Sequence, residues 1–387
     1  MSAPLTVAQI VPALDQGGVE RGTIDIARAL VDAGHKAVVV SQGGKLVAEL
    51  DAMGATHITI DGMASKNPMT ILGNVGRLVK VLKAQGVDVV HARSRAPAWS
   101  AYRACNKLGM PFVTTFHAPY NFSNEWKRRY NSVMSRGKPV IAISRFVQNH
   151  IIENYGLERS DTRLIHRGVD MTRFALDQVN GTRVQTLADA WHVLPDRKII
   201  LMPGRLTRWK GQSVVIEALG RLPQDVRDSI HCVFTGSDQG REHYRAELEQ
   251  AVEQHALGEV VRFMDHCSDM PAACKLADIV ISASTDPEGF GRVVAEAHAL
   301  GKPAIVPDHG GGPEIILEGQ TGWAVPPSDP EALADAITKA LSLDDAQRAK
   351  LAQTAIQRVA DNFTNHEMCR RTLAVYQEAA ARNSATA

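Results

Sequence analysis

Short apolar runs rich in Val and Ile alternate along the chain with longer stretches in which apolar side chains recur every three or four positions. Runs of four or five such residues suit strands buried on both faces, and the longer period suits helices with one apolar stripe. The pattern predicts strands at 7–11, 37–40, 88–91, 112–116 and 140–143. A second series follows at 198–202, 231–235, 260–264, 278–282 and 303–306. Helices are predicted between them, among others at 20–33, 213–222, 244–255 and 292–300, then at 330–341, 346–363 and 366–381. Strand–helix alternation of this kind predicts an α/β chain with two doubly wound, Rossmann-like parallel sheets. The stretch 173–195 carries little strand signal and reads as a connector with one short helix. The expected organisation is an N-terminal domain over 1–180, a C-terminal domain over 190–365, and a last helix over 366–387 that packs back on the first domain and ends in a frayed tail. In such sheets ligands collect at the carboxyl ends of the strands, so two sheets facing each other are expected to share an interdomain cleft.

Composition narrows the classes. The 387 residues are 44% hydrophobic and 22% charged, which is ordinary globular composition and excludes disordered, collagen-like and coiled-coil chains. With 43 basic against 42 acidic residues, a globally basic nucleic-acid binder is excluded too. The five cysteines, Cys105, Cys232, Cys267, Cys274 and Cys369, are odd in number and scattered. They read as buried thiols and not as a disulfide framework or a metal knuckle. Segment 1–14 lacks a basic n-region and enters a strand-like run, so no secretory signal is expected there. No apolar run approaches the ~20 residues that span a bilayer. A cytoplasmic location is expected, with a peripheral place at the inner face of the membrane as an extension of it.

The densest chemistry lies in Asp286-Pro287-Glu288-Gly289-Phe290-Gly291-Arg292, which follows a strand and opens a helix bearing Glu296. The glycines permit close backbone approach, and the first helical N–H groups with the positive end of the macrodipole make an anion site. At ~1.5 Å rise per residue, Glu288 and Glu296 fall on opposite sides of that site. A diphosphate between them would set a sugar beside one carboxylate and a ribose beside the other. After the first strand of the second series come Arg205, Arg208 and Lys210, a planar fork and a mobile ammonium suited to two phosphates. No D-x-D follows a strand to hold a divalent metal, so leaving-group charge would be met by these cations and by backbone amides. The loop Asp15-Gln16-Gly17-Gly18-Val19-Glu20-Arg21-Gly22 lacks G-x-G-x-x-G spacing and is a poor dinucleotide fingerprint.

These segments together resemble the retaining GT-B glycosyltransferases of group 1, family 4. The resemblance rests on Glu288-x7-Glu296 with its EGFG start, the basic segment Gly204 to Gly211, and the glycine loop Gly17-Gly18-Val19-Glu20. It extends to Gly310-Gly311-Gly312-Pro313-Glu314, Gly319-x-Thr321-Gly322 and the helix-opening Asp329-Pro330-Glu331. It implies a nucleotide diphosphate sugar donor, no cofactor and no metal. Donor-binding residues would be Gly17, Gly18, Arg205, Lys210, Glu288, Gly289, Phe290, Gly291 and Glu296. Catalytic roles would fall to His117, Glu288, Arg205 and Lys210, with His117 contacting the transferred sugar. The segments 201–210 (LMPGRLTRWK) and 166–170 (HRGVD) look like bacterial lipopolysaccharide-core transferases, some of which move mannose, so a glycolipid or glycan acceptor is implied. Two rival readings share the fold: a sugar-nucleotide 2-epimerase, which needs no acceptor, and a catalytically silent sugar-nucleotide binder. Between Arg93 and Lys138, nine basic residues face Glu125 alone, a net charge of +8, with Trp99, Tyr102, Trp126 and Tyr130 interleaved. This stretch is either a solvated basic face or a surface for anionic lipid and phosphorylated glycolipid.

Overall fold

The computed structural model describes residues 3–15 and 17–384. Gln16 of the glycine loop, the first two residues of the opening segment and the final residues 385–387 of the expected frayed tail lie outside the described residues. The chain divides into two compact units, one of 1–166 with 365–387 and one of 167–364.

The first unit is built on seven parallel strands: β1 (Thr6–Ile10), β2 (Lys36–Ser41), β3 (Thr56–Thr59), β4 (Val89–Ala92), β5 (Phe112–Phe116), β6 (Val140–Ala142) and β7 (Thr162–Leu164). Their order is β3-β2-β1-β4-β5-β6-β7. The interior strands are buried on both faces, which is why they read as continuous Val/Ile runs. The last helix, Asn365–Ser384, belongs to this unit. Its Met368, Cys369, Val375, Tyr376 and Ala379 recur at helical spacing and share a core with Val7, Val39, Val89 and Val113. Tyr376 Oη meets Nδ1 of the fully buried His91 at 2.7 Å, and Thr115 Oγ1 lies 2.8 Å from the other ring nitrogen. At the β7 edge, Arg163 donates from Nε to Glu378 Oε2 of that helix at 3.1 Å.

The second unit holds six parallel strands: β8 (Lys198–Pro203), β9 (Ile230–Thr235), β10 (Val261–Met264), β11 (Ile279–Ile281), β12 (Ala304–Pro307) and β13 (Gly322–Val325), ordered β10-β9-β8-β11-β12-β13. Ile200, Cys232, Phe234, Ile281 and Ile305 form its core with Val215, Leu219, Ile337 and Ala340 of the covering helices.

The structure departs from the sequence expectation in two places. Three strands, β3, β7 and β13, fall outside the expected series: β3 and β7 are short and largely polar, and β13 is apolar but only four residues long; β3 and β7 edge the first sheet and β13 one edge of the second, each with a single partner and largely half-buried. Edge strands can be short and polar because only one side is paired and covered. The chain also divides at 166/167, earlier than the expected 180–190. The supposed connector is part of the second unit, where Val169 pairs with Thr364 and the helix Gly181–Ala190 is anchored by Arg183, bidentate on Asp269 at 2.6 and 2.8 Å.

Candidate active site

In the second sheet the strand order reverses between β8 and β11, and the loops leaving those two strands flank the switch point where such sheets bind ligands. The loop after β8 turns through Thr207 into a single 3-10 turn, Arg208–Lys210, closed by Gly211 at φ +77°. That turn docks on the segment after β11. Thr285 N donates to Trp209 O at 2.8 Å, and a Cβ on Gly211 would sit 2.0 Å from Ala283 O. Only glycine allows this approach, and the approach brings Lys210 to the acidic loop.

Lys210 Nζ lies 2.7 Å from Glu288 Oε1, with both side chains largely covered, and 4.6 Å from the centre of the Trp209 ring. The same carboxylate oxygen accepts from Ser282 Oγ at 3.2 Å and from Ser284 Oγ. Burial pushes the Glu288 carboxyl up, but the Lys210 ammonium and these hydrogen bonds more than offset it and hold the group below the usual carboxylate range. Glu288 is therefore ionised and fixed. The sequence reading missed these two partners of Glu288, since Ser282 and Ser284 carry no spacing signal of their own.

Beyond Glu288 the loop turns at Gly291, φ +101°, into the helix Arg292–Ala299. Gly291 caps that helix without a side-chain acceptor; Val294 N donates to Gly291 O at 3.0 Å, so among the described residues the N–H groups of Arg292 and Val293 are the ones left open to an anion. The turn Gly310–Gly311 lies against the loop from behind, and Gly311 N donates to Glu288 O at 2.9 Å. Phe290 is buried against Phe363, ring centres 5.7 Å apart, which leaves only its backbone available to a ligand at this loop. Glu296 is 8% exposed and paired with Arg292 Nε at 3.1 Å. Burial raises its pKa, with Arg292 and Arg173 pulling the other way. Arg205 is exposed, 3.4 Å from Gln239 Oε1. Arg208 is committed elsewhere, paired with Glu247 at 2.6 Å and lying over the Tyr244 ring.

The remaining expected residues sit in the first unit. Gly17 caps the helix Gly18–Asp32 after β1, and half-buried His117 follows β5 directly. The basic stretch 93–138 is not one face. Arg93 is buried in the first unit, 3.3 Å from Gln9 Oε1, and Arg95 lies on the Tyr120 ring while donating to Asn131. Arg103, Lys107, Lys127, Arg128, Arg129, Arg136 and Lys138 are exposed, as is Trp126 at 80%. All five cysteines are buried free thiols. Among the described residues no helix is long and apolar enough to cross a membrane.

Two parallel-sheet α/β units with loops of this kind at the switch point of the second define the GT-B class of glycosyltransferases. The sequence comparisons agree: residues 186–358 match the glycosyl transferases of group 1, and residues 16–173 match glycosyltransferase family 4. The crystal structure of a glycosyltransferase from Rickettsia africae is 36% identical, covers 98% of this chain and 99% of its own, and superposes with a TM-score of 0.89. The chain thus belongs to the group 1 glycosyltransferases. Anabaena HepE in complex with UDP and glucose shares the fold at 23% identity and a TM-score of 0.83, over 96% of this chain and 99% of that one. Among curated proteins, a D-inositol 3-phosphate glycosyltransferase of Xylanimonas cellulosilytica is 28% identical over 77% of this chain and 73% of its own length.

Proposed function

We propose that this glycosyltransferase moves a hexose from a nucleoside diphosphate sugar to a hydroxyl of a glycolipid or lipopolysaccharide-core acceptor, with retention and without a divalent metal. The observation that carries the reading is the meeting of Lys210 and Glu288 beside the open helix start at Gly291. Arg205, Lys210 and the helix amides would hold the diphosphate and stabilise the charge it gains as it departs. Glu296 would bind the ribose hydroxyls, and Glu288 with the Gly289, Phe290 and Gly291 backbone the sugar. From the first unit, the Gly17 and Gly18 backbone and His117 would contact the donor. With no side-chain nucleophile assigned, the acceptor hydroxyl would attack from the face the diphosphate leaves. The likeness of 201–210 and 166–170 to lipopolysaccharide-core transferases favours mannose as the sugar. The exposed Trp126 and Lys127 support peripheral contact with anionic lipid at the inner face of the cytoplasmic membrane.

The test pairs UDP-, GDP- and ADP-hexoses with a lipopolysaccharide-core acceptor before and after EDTA. Transfer should persist in EDTA. Activity that vanishes and returns with magnesium or manganese overturns the metal-free part of the reading. Epimerised donor formed without acceptor would favour the epimerase. Sedimentation of the same preparation with anionic vesicles, native against Lys127→Gln, measures the membrane contact.

A further inference from the structure

Beside the helix Glu125–Asn131 the first unit carries a cavity of about 500 Å³ that the donor chemistry does not use. Arg128, Arg129 and Arg136 line it, and Glu125 is the one acidic residue in its wall. Arg128 is tied down, donating from Nε and Nη2 to Asn154 O at 3.3 and 3.0 Å and pairing with Glu125 at 3.4 Å. Among the described residues the Arg129 and Arg136 side chains make no ion pair and no hydrogen bond. The hydroxyl protons in the wall are engaged: Ser132 Oγ donates to Arg129 O and Ser135 Oγ to Ser132 O, each at 2.8 Å, and Tyr155 Oη to Tyr120 O at 3.4 Å. What the cavity offers is therefore two unengaged guanidinium forks and a net charge of about +2, the charge that a phosphate monoester matches near neutral pH. Guanidinium forks also fit phosphate oxygens two at a time.

We propose that this cavity is a phosphate-monoester site that receives the phosphate of the acceptor, on a phosphorylated sugar or a phosphomonoester lipid headgroup. The link to the acceptor rests on the reaction proposed above; the anion site itself does not. It differs from a flat membrane-binding face because Trp126 and Lys127, on the same helix, are outside the wall.

Calorimetry with glycerol 3-phosphate and dimethyl phosphate tests the site on native protein, Arg129→Gln/Arg136→Gln, Arg129→Lys/Arg136→Lys and Lys127→Gln. Glycerol 3-phosphate should bind native protein at least tenfold better than dimethyl phosphate, which carries one charge. The double glutamine variant should lose at least tenfold in glycerol 3-phosphate affinity, the double lysine variant should stay within about threefold, and Lys127→Gln should match native protein. A double glutamine variant that binds as tightly as native protein, or equal affinity for the two phosphates, overturns the site. Vesicles of phosphatidylcholine with phosphatidic acid separate the sources. Binding displaced by glycerol 3-phosphate assigns the phosphate to a lipid headgroup. Binding no better than to phosphatidylglycerol vesicles of equal charge, with glycerol 3-phosphate still bound, assigns it to a phosphorylated sugar. Nucleoside diphosphate affinity should be the same in native and double variant protein. Native protein that binds no nucleoside diphosphate would refute the donor reading and leave the phosphate site standing.

Discussion

Glu288 and Glu296 stand eight positions apart on one loop and helix, yet their surroundings push them in opposite directions. Glu288 is held ionised by Lys210, Ser282 and Ser284, while Glu296 is driven toward protonation by burial. For Glu288 the folded pKa is depressed, so its stabilisation is present above about pH 4.5 and lost as the pH falls through the folded value. For Glu296 the folded pKa is raised, so burying its charged form costs stability at neutral pH. Glu296→Gln should accordingly leave the melting temperature unchanged or higher while weakening nucleoside diphosphate binding, each lost charge-assisted hydrogen bond contributing about 1.5–3 kcal/mol. Glu288→Gln should lose about 1–3 kcal/mol of stability with its ion pair. Because it also frees Lys210, it should bind the sugar-free nucleotide at least as well as native protein, while intact donor binds worse and turnover falls. Calorimetry with both ligands and thermal unfolding check the pair of variants. Weakening of the sugar-free nucleotide by Glu288→Gln as large as that by Glu296→Gln would overturn the assignment of the two carboxylates. The acids were legible in the sequence because a helix opened by glycines announces an anion site. The serines were not, because a hydroxyl gains its role only from where β11 delivers it.

Among elements, the glycine turn 310–312 works by contact. A Cβ on Gly311 would fall 2.6 Å from Phe290 Cα and 2.7 Å from Gly289 O, both backbone positions that cannot swing aside. Gly311→Ala should displace the loop that carries Glu288, lowering stability by about 1–3 kcal/mol, the usual range for overpacking, and cutting kcat/KM for transfer. Gly73 is the control. It is exposed in the helix Pro68–Ala84, and a Cβ there meets nothing within 4 Å. Gly73→Ala should leave turnover intact and raise stability by up to about 1 kcal/mol through helix propensity. Unfolding and steady-state rates on both variants decide it; a Gly311→Ala enzyme with native kinetics would remove the turn from the site. Interior strands and the helix Pro330–Leu341, capped by Asp329 on Glu331 N and Ala332 N, were readable from periodicity and cap chemistry. The edges β3, β7 and β13 were not, because what makes them strands is the neighbour they pair with.

At the scale of the whole molecule, each unit buries a histidine kept neutral. Burial, reinforced by Arg93, holds His91 well below its ordinary value in the first unit, and burial brings His298 down to about 4 in the second. A histidine whose folded pKa is depressed favours the native state above the unfolded value near pH 6.5, and that advantage is lost as the pH falls. Both units should therefore lose stability between pH 6.5 and 4, by up to about 3 kcal/mol for His298 alone. Thermal unfolding across that range measures it, and His298→Gln should flatten the slope if its amide keeps the contact with Lys302 O. A native profile flat to pH 4 would contradict it. The sequence by itself determined the α/β class, two parallel sheets and the loops proposed to carry the donor chemistry, because apolar period, glycine placement and charge type are local properties. Tertiary structure alone decided that Lys210 meets Glu288, that Arg93 is interior while Arg129 and Arg136 share a cavity, and that the last helix closes the core of the first unit through Tyr376 and His91. Each of those contacts joins residues far apart in the chain, from 78 positions for Lys210–Glu288 to 285 for His91–Tyr376, or depends on which side of a helix faces the sheet. Burial and partner choice at such distances follow from packing, which no local pattern encodes.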